Sequence, residues 1–521
     1  MSVNYRLFCG AAACALAVGC VASRAQTPQV NAAIQQLQQQ IEQMQQQLQS
    51  LQTQVTAQAQ QPPASAPAPA SGPHVTQSGG NRFGLESGDG QYSIALTGRL
   101  HFDVGGYTNY HQDSHATAPS DLNAGINARR ARLGVIGKFA GDWNYAFVYD
   151  LGGSSDGFDV TNPSGGGGLG VSGGFLAGIE NAYVTYNGLN NPKSAVPLAF
   201  DFGYQDTPFT LDEATSSNDI MFMERASSQV VATAFGSGDN RSAFGVRSND
   251  ARYWAGVYVT GPTSGSAHNV GEPLAMFGRF TYQALQAPDY SLHFGVDLEG
   301  LLKPANVTTT AAGAAPGTIS ASLRTLSLSD RPELRIDPST LLATGTIGTA
   351  ANPVTGGSVF GAETAGGYQN LFFQSEGFNY RVTRAGLPDN TFWGGYLEGS
   401  WTITGEHRTY NPGSGAYTGI NPAHPLSISA GTWGALELAA RASYISLSDN
   451  FNPIAVAGKS NSVEGGRQTI YTMGLNWYLN PNMRLMFDWL HGTVKKQAAT
   501  PIAPQTGANF DAVAMRAQVA F

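Results

Sequence analysis

The sequence predicts an all-β protein, a transmembrane antiparallel β-barrel of about 16 strands preceded by a short helical coiled coil. Three observations carry this. Segment after segment alternates apolar and polar residues over runs of about ten, with charged residues on the second face, as a wall between lipid and water requires. Charged residues make up only 12% of the chain while 64 Gly, 21 Tyr and 25 Phe stand out, a mix that suits many turns and aromatic girdles. Beyond the first 25 residues no apolar run approaches the roughly 18 to 20 residues that a spanning helix needs.

Taken in order, residues 1–25 read as a signal peptide: Arg6 precedes an apolar run from Leu7 to Val21, and Ser23 and Ala25 offer small residues before Gln26. Cys9, Cys14 and Cys20 all fall in this segment, so the mature chain needs no disulfide. A lipoprotein site at Cys20 is the weaker reading, because Ala17 stands where a larger aliphatic residue is usual. In residues 26–60 the positions Val30, Ile34, Leu37, Ile41, Met44, Leu48, Leu51 and Val55 are spaced alternately four and three. That heptad seam predicts a periplasmic coiled coil and hence an oligomer, and its β-branched positions lean towards two strands. Residues 61–81, beginning QPPASAPAPASGP, read as a semi-rigid Pro/Ala linker.

Residues 82–521 carry the barrel pattern. Tyr92, Ile94, Leu96, Leu100, Phe102 and Val104 share a face opposite Arg99, His101 and Asp103; Tyr290 to Leu298 and Leu436 to Ala442 alternate in the same way. The stretch Arg129 to Phe139 puts Leu133, Val135 and Phe139 on one face and Arg130, Arg132 and Lys138 on the other, which leaves Arg129 at a rim. A hairpin turns at Asn480-Pro481-Asn482, a short turn of the periplasmic kind, while Gly152–Gly174, Pro304–Gly357 and Asn411–Ala430 read as longer extracellular loops. The last strand alternates to a terminal Phe521. Dividing the 440 residues after position 81 by the roughly 25 to 28 that a strand and its loops use gives about 16 strands. A soluble sandwich would show shorter strands and no charged second face.

The formal net charge of -8 argues against a nucleic-acid partner. The histidines are scattered without metal-ligand spacing, Gly165–Gly170 (GGGGLG) follows no strand-to-helix pattern, and Asp206 and Glu213 read as solvated loop carboxylates. No catalytic site, metal or cofactor is therefore expected. What remains is a set of basic residues on the polar faces, Arg99, Arg130, Arg132, Arg279, Arg441, Arg484 and Arg516 with Lys138, suited to holding anions in a pore. The plain alternative is that they pair with Asp103, Asp150, Glu437 and Asp488 to neutralise the wall.

The chain resembles the phosphate-selective porin O and P family. The resemblance rests on RRARLGVIGKFAGDWNYAFVYDLGG (Arg129–Gly153), TPFTLDEATSSNDIMFMERA (Thr207–Ala226), RPELRID (Arg331–Asp337), GGYLEGSWTITGEHRTYN (Gly394–Asn411), GALELAARASYISLSDN (Gly434–Asn450) and the segment Gly465–Val494. It implies a homotrimer of 16-stranded barrels in the outer membrane of a Gram-negative bacterium, each pore constricted by an inward-folded segment and lined by an arginine ladder. Arg129, Arg130 and Arg132 match the family's early-strand arginines, and Thr215–Arg225 matches the segment near the constriction, adding Arg225 to the wall residues. Where relatives carry a lysine before the Pro-Phe turn, this chain has Gln205-Asp206-Thr207, and it holds 22 Arg but only 6 Lys. The expected function is passive diffusion of small anions such as phosphate. The alternatives are a general or sugar-permeable porin, and a barrel-anchored envelope tether reaching peptidoglycan through the coiled coil.

Overall fold

The computed structural model describes Gln43, Gln46 and residues 72–78, 82–115, 121–152, 178–190, 196–236, 238–262, 271–309, 321–452, 461–498, 500 and 502–521. The chain divides into Met1–Pro69 and Ala70–Phe521. Of the first unit only Gln43 and Gln46 are described, both helical and exposed; the expected signal peptide and coiled-coil seam lie outside the described residues. In the second unit, His74–Ser78, inside the stretch expected as linker, pairs with Arg82–Glu86, which in turn pairs with the first barrel strand.

Sixteen antiparallel strands form the barrel: β1 (Ser93–Tyr107), β2 (Gly125–Phe139), β3 (Trp143–Asp150), β4 (Ile179–Leu189), β5 (Leu198–Asp206), β6 (Asn240–Asn249), β7 (Tyr253–Thr260), β8 (Leu274–Gln286), β9 (Tyr290–Lys303), β10 (Val354–Tyr368), β11 (Leu371–Arg384), β12 (Leu387–Thr402), β13 (Ala435–Asp449), β14 (Val463–Asn480), β15 (Met483–Lys495) and β16 (Ala508–Ala520). Each pairs with its chain neighbour, and β16 closes the ring on β1 in the register Arg516↔Asp103 and Gln518↔His101. Closure leaves no open edge within the ring. The terminal Phe521 finishes the seam. Its backbone exchanges hydrogen bonds with Gly98, and its ring lies where a Cβ on that residue would stand, 2.5 Å from the nearest ring carbon.

The predicted alternation is what the wall displays. On β9, Phe294, Val296 and Leu298 are exposed on the outer face, whereas His293, Asp297 and Glu299 are buried on the lumen side. On β1, Ile94, Leu96, Leu100 and Phe102 face out and His101 and Asp103 face in. One position departs from strict alternation. The β1–β2 ladder slips between His101 and Phe102, which oppose Arg130 and Ala128, so Arg129 is the extra residue of a β-bulge. The bulge turns Arg129 inward beside Arg130, and the rim position expected for Arg129 is corrected: it is fully buried inside the barrel.

Strand parity places the connections. The segments 207–239 and 304–353 leave from the end opposite the one at which β1 begins and β16 finishes. The connection 403–434 joins β12 to β13 at the same end as the Asn480–Met483 turn, so Asn411–Ala430 is not among the loops of the far mouth, contrary to the expectation from its Gly/Ser/Pro content. Among the described residues, all three segments send side chains into the lumen: Phe209 to Phe235 of the first, Leu328 to Ile347 of the second and Arg408 of the third. Segment 207–239 carries α1 (Leu211–Ala214) and α2 (Ser227–Phe235), and Phe209, Val231 and Phe235 pack against Trp254, Phe277, Tyr380 and Phe392 of the wall, giving the barrel an apolar core inside part of its lumen.

Candidate functional site

Segment 207–239 crosses the lumen, and among the wall residues that hold it are Arg99, Arg441, Arg484 and Arg516, which alternation placed on the lumen side. Between its two helices the chain runs through turns and bends over 217–224, so most of its carbonyls have no ladder partner and need donors from elsewhere. Guanidinium groups supply them. Arg484 Nη1 donates to the Ile220 carbonyl at 2.9 Å, Arg516 Nη1 to that of Met223, and Arg441 Nη1 to that of Glu224 at 2.9 Å. Arg408, from the 403–434 connection, donates to the Asp219 carbonyl at 2.6 Å and pairs with Glu437 at 2.9 Å. Arg99 donates to Ser217 Oγ, while His101 Nε2 is 3.0 Å from Asn218 Oδ1.

Glu224 is the centre of the set. Arg129 binds it in a two-pronged fashion, Nε to Oε1 at 2.8 Å and Nη2 to Oε2 at 2.9 Å; Arg516 Nη2 reaches Oε1 at 2.9 Å and Arg335 Nε lies 3.8 Å from Oε2. Such forked, charge-assisted pairs fix geometry as well as charge. Burial alone would push the Glu224 carboxyl up, but the Arg129, Arg516 and Arg130 guanidiniums together hold it well below the usual carboxylate range. Asp212, on α1, goes the other way, raised by burial against the opposing pull of Arg225 and Arg441.

The helices of the segment are started by carboxylates. Glu376 on β11 accepts from Leu211 N at 2.7 Å and Asp212 N at 3.1 Å, and Thr210 Oγ1 accepts from Glu213 N at 3.1 Å. At α2, whose N-cap Ala226 has no side-chain cap, Glu333 of segment 304–353 accepts from Ser227 N at 2.9 Å and is itself held by Arg441 at 2.8 Å. These carboxylates occupy the positive ends of helices.

The remaining predicted residues are placed as follows. Arg130 is buried in the lumen wall next to Arg129. Arg132 pairs with Asp150 at 2.9 Å and with Glu180, and keeps 9% side-chain exposure. Lys138 meets Glu86 at 3.1 Å near the start of β1 and is 30% exposed. Arg225 lies in segment 207–239, 3.5 Å from Glu213 and donating to the Asp212 and Thr215 carbonyls. Glu213, expected as a solvated carboxylate, is instead buried and bonded by Gln229 Nε2 at 2.9 Å, because α1 turns it inward. Arg279 pairs with Glu363 across the lumen from the rest and donates to the carbonyls of Ser414 and Gly415. Of the pairings weighed for neutralising the wall, Arg516–Asp103 and Arg132–Asp150 are present, Glu437 is taken by Arg408, and Asp488 accepts from Met223 N at 2.8 Å.

Sequence reasoning did not single out Glu224, Glu333, Arg335 or Arg408, because alternation assigns faces to strands and is silent on loops. Their signal lay in the blocks MFMERA, RPELRID and GEHRTYN, charged residues set in otherwise apolar or turn-rich connections.

The family model described as "Phosphate-selective porin O and P" matches residues 94–521. Porin O of Pseudomonas aeruginosa is 22% identical over 429 residues, 78% of this chain and 84% of that one. An uncharacterized protein of Caulobacter vibrioides is 31% identical over 162 residues, which are 30% of this chain and 28% of that relative. Among solved structures, an anion-selective porin from Comamonas acidovorans aligns with a TM-score of 0.46 at 12% identity, covering 82% of this chain and 100% of that one. The outer-membrane expressed OmpT of Vibrio cholerae aligns with a TM-score of 0.46 at 10% identity, covering 83% and 98%.

Proposed function

Because this chain belongs to the phosphate-selective porin O and P family and is a Gram-negative outer-membrane barrel, we propose that it passes small anions, phosphate-like, down their gradient. The observation that carries the reading is the gathering of Arg99, Arg129, Arg130, Arg132, Arg441, Arg484 and Arg516 on β13, β15, β16, β1 and β2, one arc of neighbouring strands along which the segment 207–239 lies. In this reading the work is divided. Arg129, Arg441, Arg484 and Arg516 hold the constricting segment, and Arg99 and Arg132, which keep some access to the lumen, are the transient contacts of a passing anion. Weak, multiple contacts let an ion leave as readily as it enters.

Reversal potentials in planar bilayers under a salt gradient test this. Anion preference is expected in the wild type, lowered in Arg99→Ala and Arg132→Ala at unchanged barrel yield; a cation preference in the wild type overturns it. A second reading, a general or sugar-permeable pore, is favoured by one specific observation, the pairing of Arg129, Arg132 and Arg516 with carboxylates. Liposome swelling in neutral sugars at rates equal to those in anions would support it. Assembly as a homotrimer belongs to the same proposal, and the mass of the detergent-solubilised complex tests it.

A further inference from the structure

A buried acidic cluster lies away from the arginine arc. Asp297 of β9, Glu363 of β10 and Glu376 of β11 bring carboxylate oxygens within 4.8 Å of one another, and all three residues are at most 4% exposed. Two of them are fixed by neighbours. Tyr396 Oη donates to Glu376 at 2.6 Å, in addition to the α1 amides. Glu363 receives Arg279 at 2.9 and 3.1 Å and lies 2.7 Å from His293 Nε2. Asp297 is different: neither carboxylate oxygen has a hydrogen-bond partner, and Arg279 Nε, its one ion-pair partner among the described residues, stands at 3.6 Å.

Three carboxyl groups thus face one permanent cation, Arg279, with the titratable His293 beside Glu363; with all three ionised and His293 neutral, two negative charges stand in excess where burial makes unbalanced charge costly. A proton shared between Asp297 and Glu363 would cancel one of them. A single divalent cation cancels both and gives the bare oxygens of Asp297 a partner. Oxygens within 4.8 Å of one another suit calcium, which takes six to eight oxygens at about 2.3–2.6 Å and so lets ligands on opposite sides stand up to about 5 Å apart; magnesium, at about 2.0–2.1 Å, would need them within about 4.2 Å. We propose that Asp297, Glu363 and Glu376 form a calcium site in the lumen wall, each giving a carboxylate oxygen, with water completing the shell. Arg279 and Tyr396 orient the ligands through Glu363 and Glu376. The site stands whatever solute the channel carries.

The test uses the full-length protein in detergent, its folded state verified by heat-modifiable gel migration. After stripping with EDTA and dialysis at neutral pH it is titrated with radioactive calcium by equilibrium dialysis. One calcium per chain at submillimolar concentration is expected, with magnesium competing at least about tenfold more weakly. Asp297→Asn and Glu376→Gln should each weaken binding at least about tenfold, while Asp389→Asn, at the far rim, binds as the wild type does. A wild type that retains no calcium at millimolar concentration overturns the proposal and leaves the shared proton as the compensating charge. Unchanged binding in a folded Asp297→Asn or Glu376→Gln overturns it as well; should the first fail to fold, the second decides.

Discussion

Two arcs of the lumen wall hold the same inward segment by opposite means. From β13 through the closing seam to β2 the wall carries Arg441, Arg484, Arg516, Arg99, Arg129, Arg130 and Arg132; from β9 to β12 it carries Asp297, Glu299, Glu363, Glu376 and Glu398. The cationic arc binds the turns and bends between the two helices of segment 207–239, where orphan carbonyls call for donors. The acidic arc binds the start of α1, where orphan amides call for acceptors. The backbone groups of the segment largely match the sign of the wall beside them, with Asp488 of β15, which accepts from Met223 N, the exception within the cationic arc. Charge segregation here seats the segment.

That contrast can be broken at either end. The largest effect is expected on the cationic side: Glu224→Gln leaves Arg129 and Arg516 buried without their shared carboxylate, costing about 3–5 kcal/mol. It should show as a lowered denaturation midpoint and noisy single-channel currents. Acid should act through the same group. Because the folded Glu224 carboxyl is depressed, its stabilisation is fully present above the ordinary carboxylate value of about 4.3 and is lost as pH falls through the lower folded value. Acid-induced gating should accordingly set in below about pH 4 and be absent in Glu224→Gln. On the acidic side, Glu376→Ala removes two amide contacts and the Tyr396 contact, a loss of about 1.5–3 kcal/mol, with fraying of α1 readable as faster hydrogen exchange at Leu211 and Asp212.

Selectivity sharpens the comparison further. Arg132→Ala should lower, and Glu363→Gln raise, the anion-to-cation permeability ratio by about sevenfold each, because the roughly 0.6 kcal/mol that a unit charge exerts at about 7 Å in water acts with opposite sign on the two ions. Equal shifts of the same sign in both variants would sink the idea that the arcs act oppositely on a passing ion. The smallest effect is that of salt: raising ionic strength from about 0.1 to 1 M shortens the screening length from about 10 to 3 Å and should erode the preference without altering the segment's seat, since its pairs are buried.

The barrel, its strand count and its faces were legible because alternation of period two is enforced at every wall residue by lipid on one side. Arg99, Arg132, Arg279, Arg441, Arg484 and Arg516 were placed on the lumen side by that rule alone. Arg129 escaped it because a bulge adds one residue to β2 without changing the composition of the strand. The 403–434 connection escaped it because Gly, Ser and Pro mark a loop but carry no sign of the end to which it belongs. Glu224 and Arg408 act through contacts with residues hundreds of positions away, and no local pattern encodes such a meeting.

The seam between β16 and β1 couples the closure of the wall to the seating of its contents. Arg516, on the final strand, binds both Asp103 on the first and Glu224 in the segment that crosses the lumen. The grip on that segment can be completed only when the last strand arrives, and by then the ring is closing. Shutting the cylinder and fastening its contents therefore share one residue, Arg516, and the closed seam is finished by Phe521 lying over Gly98.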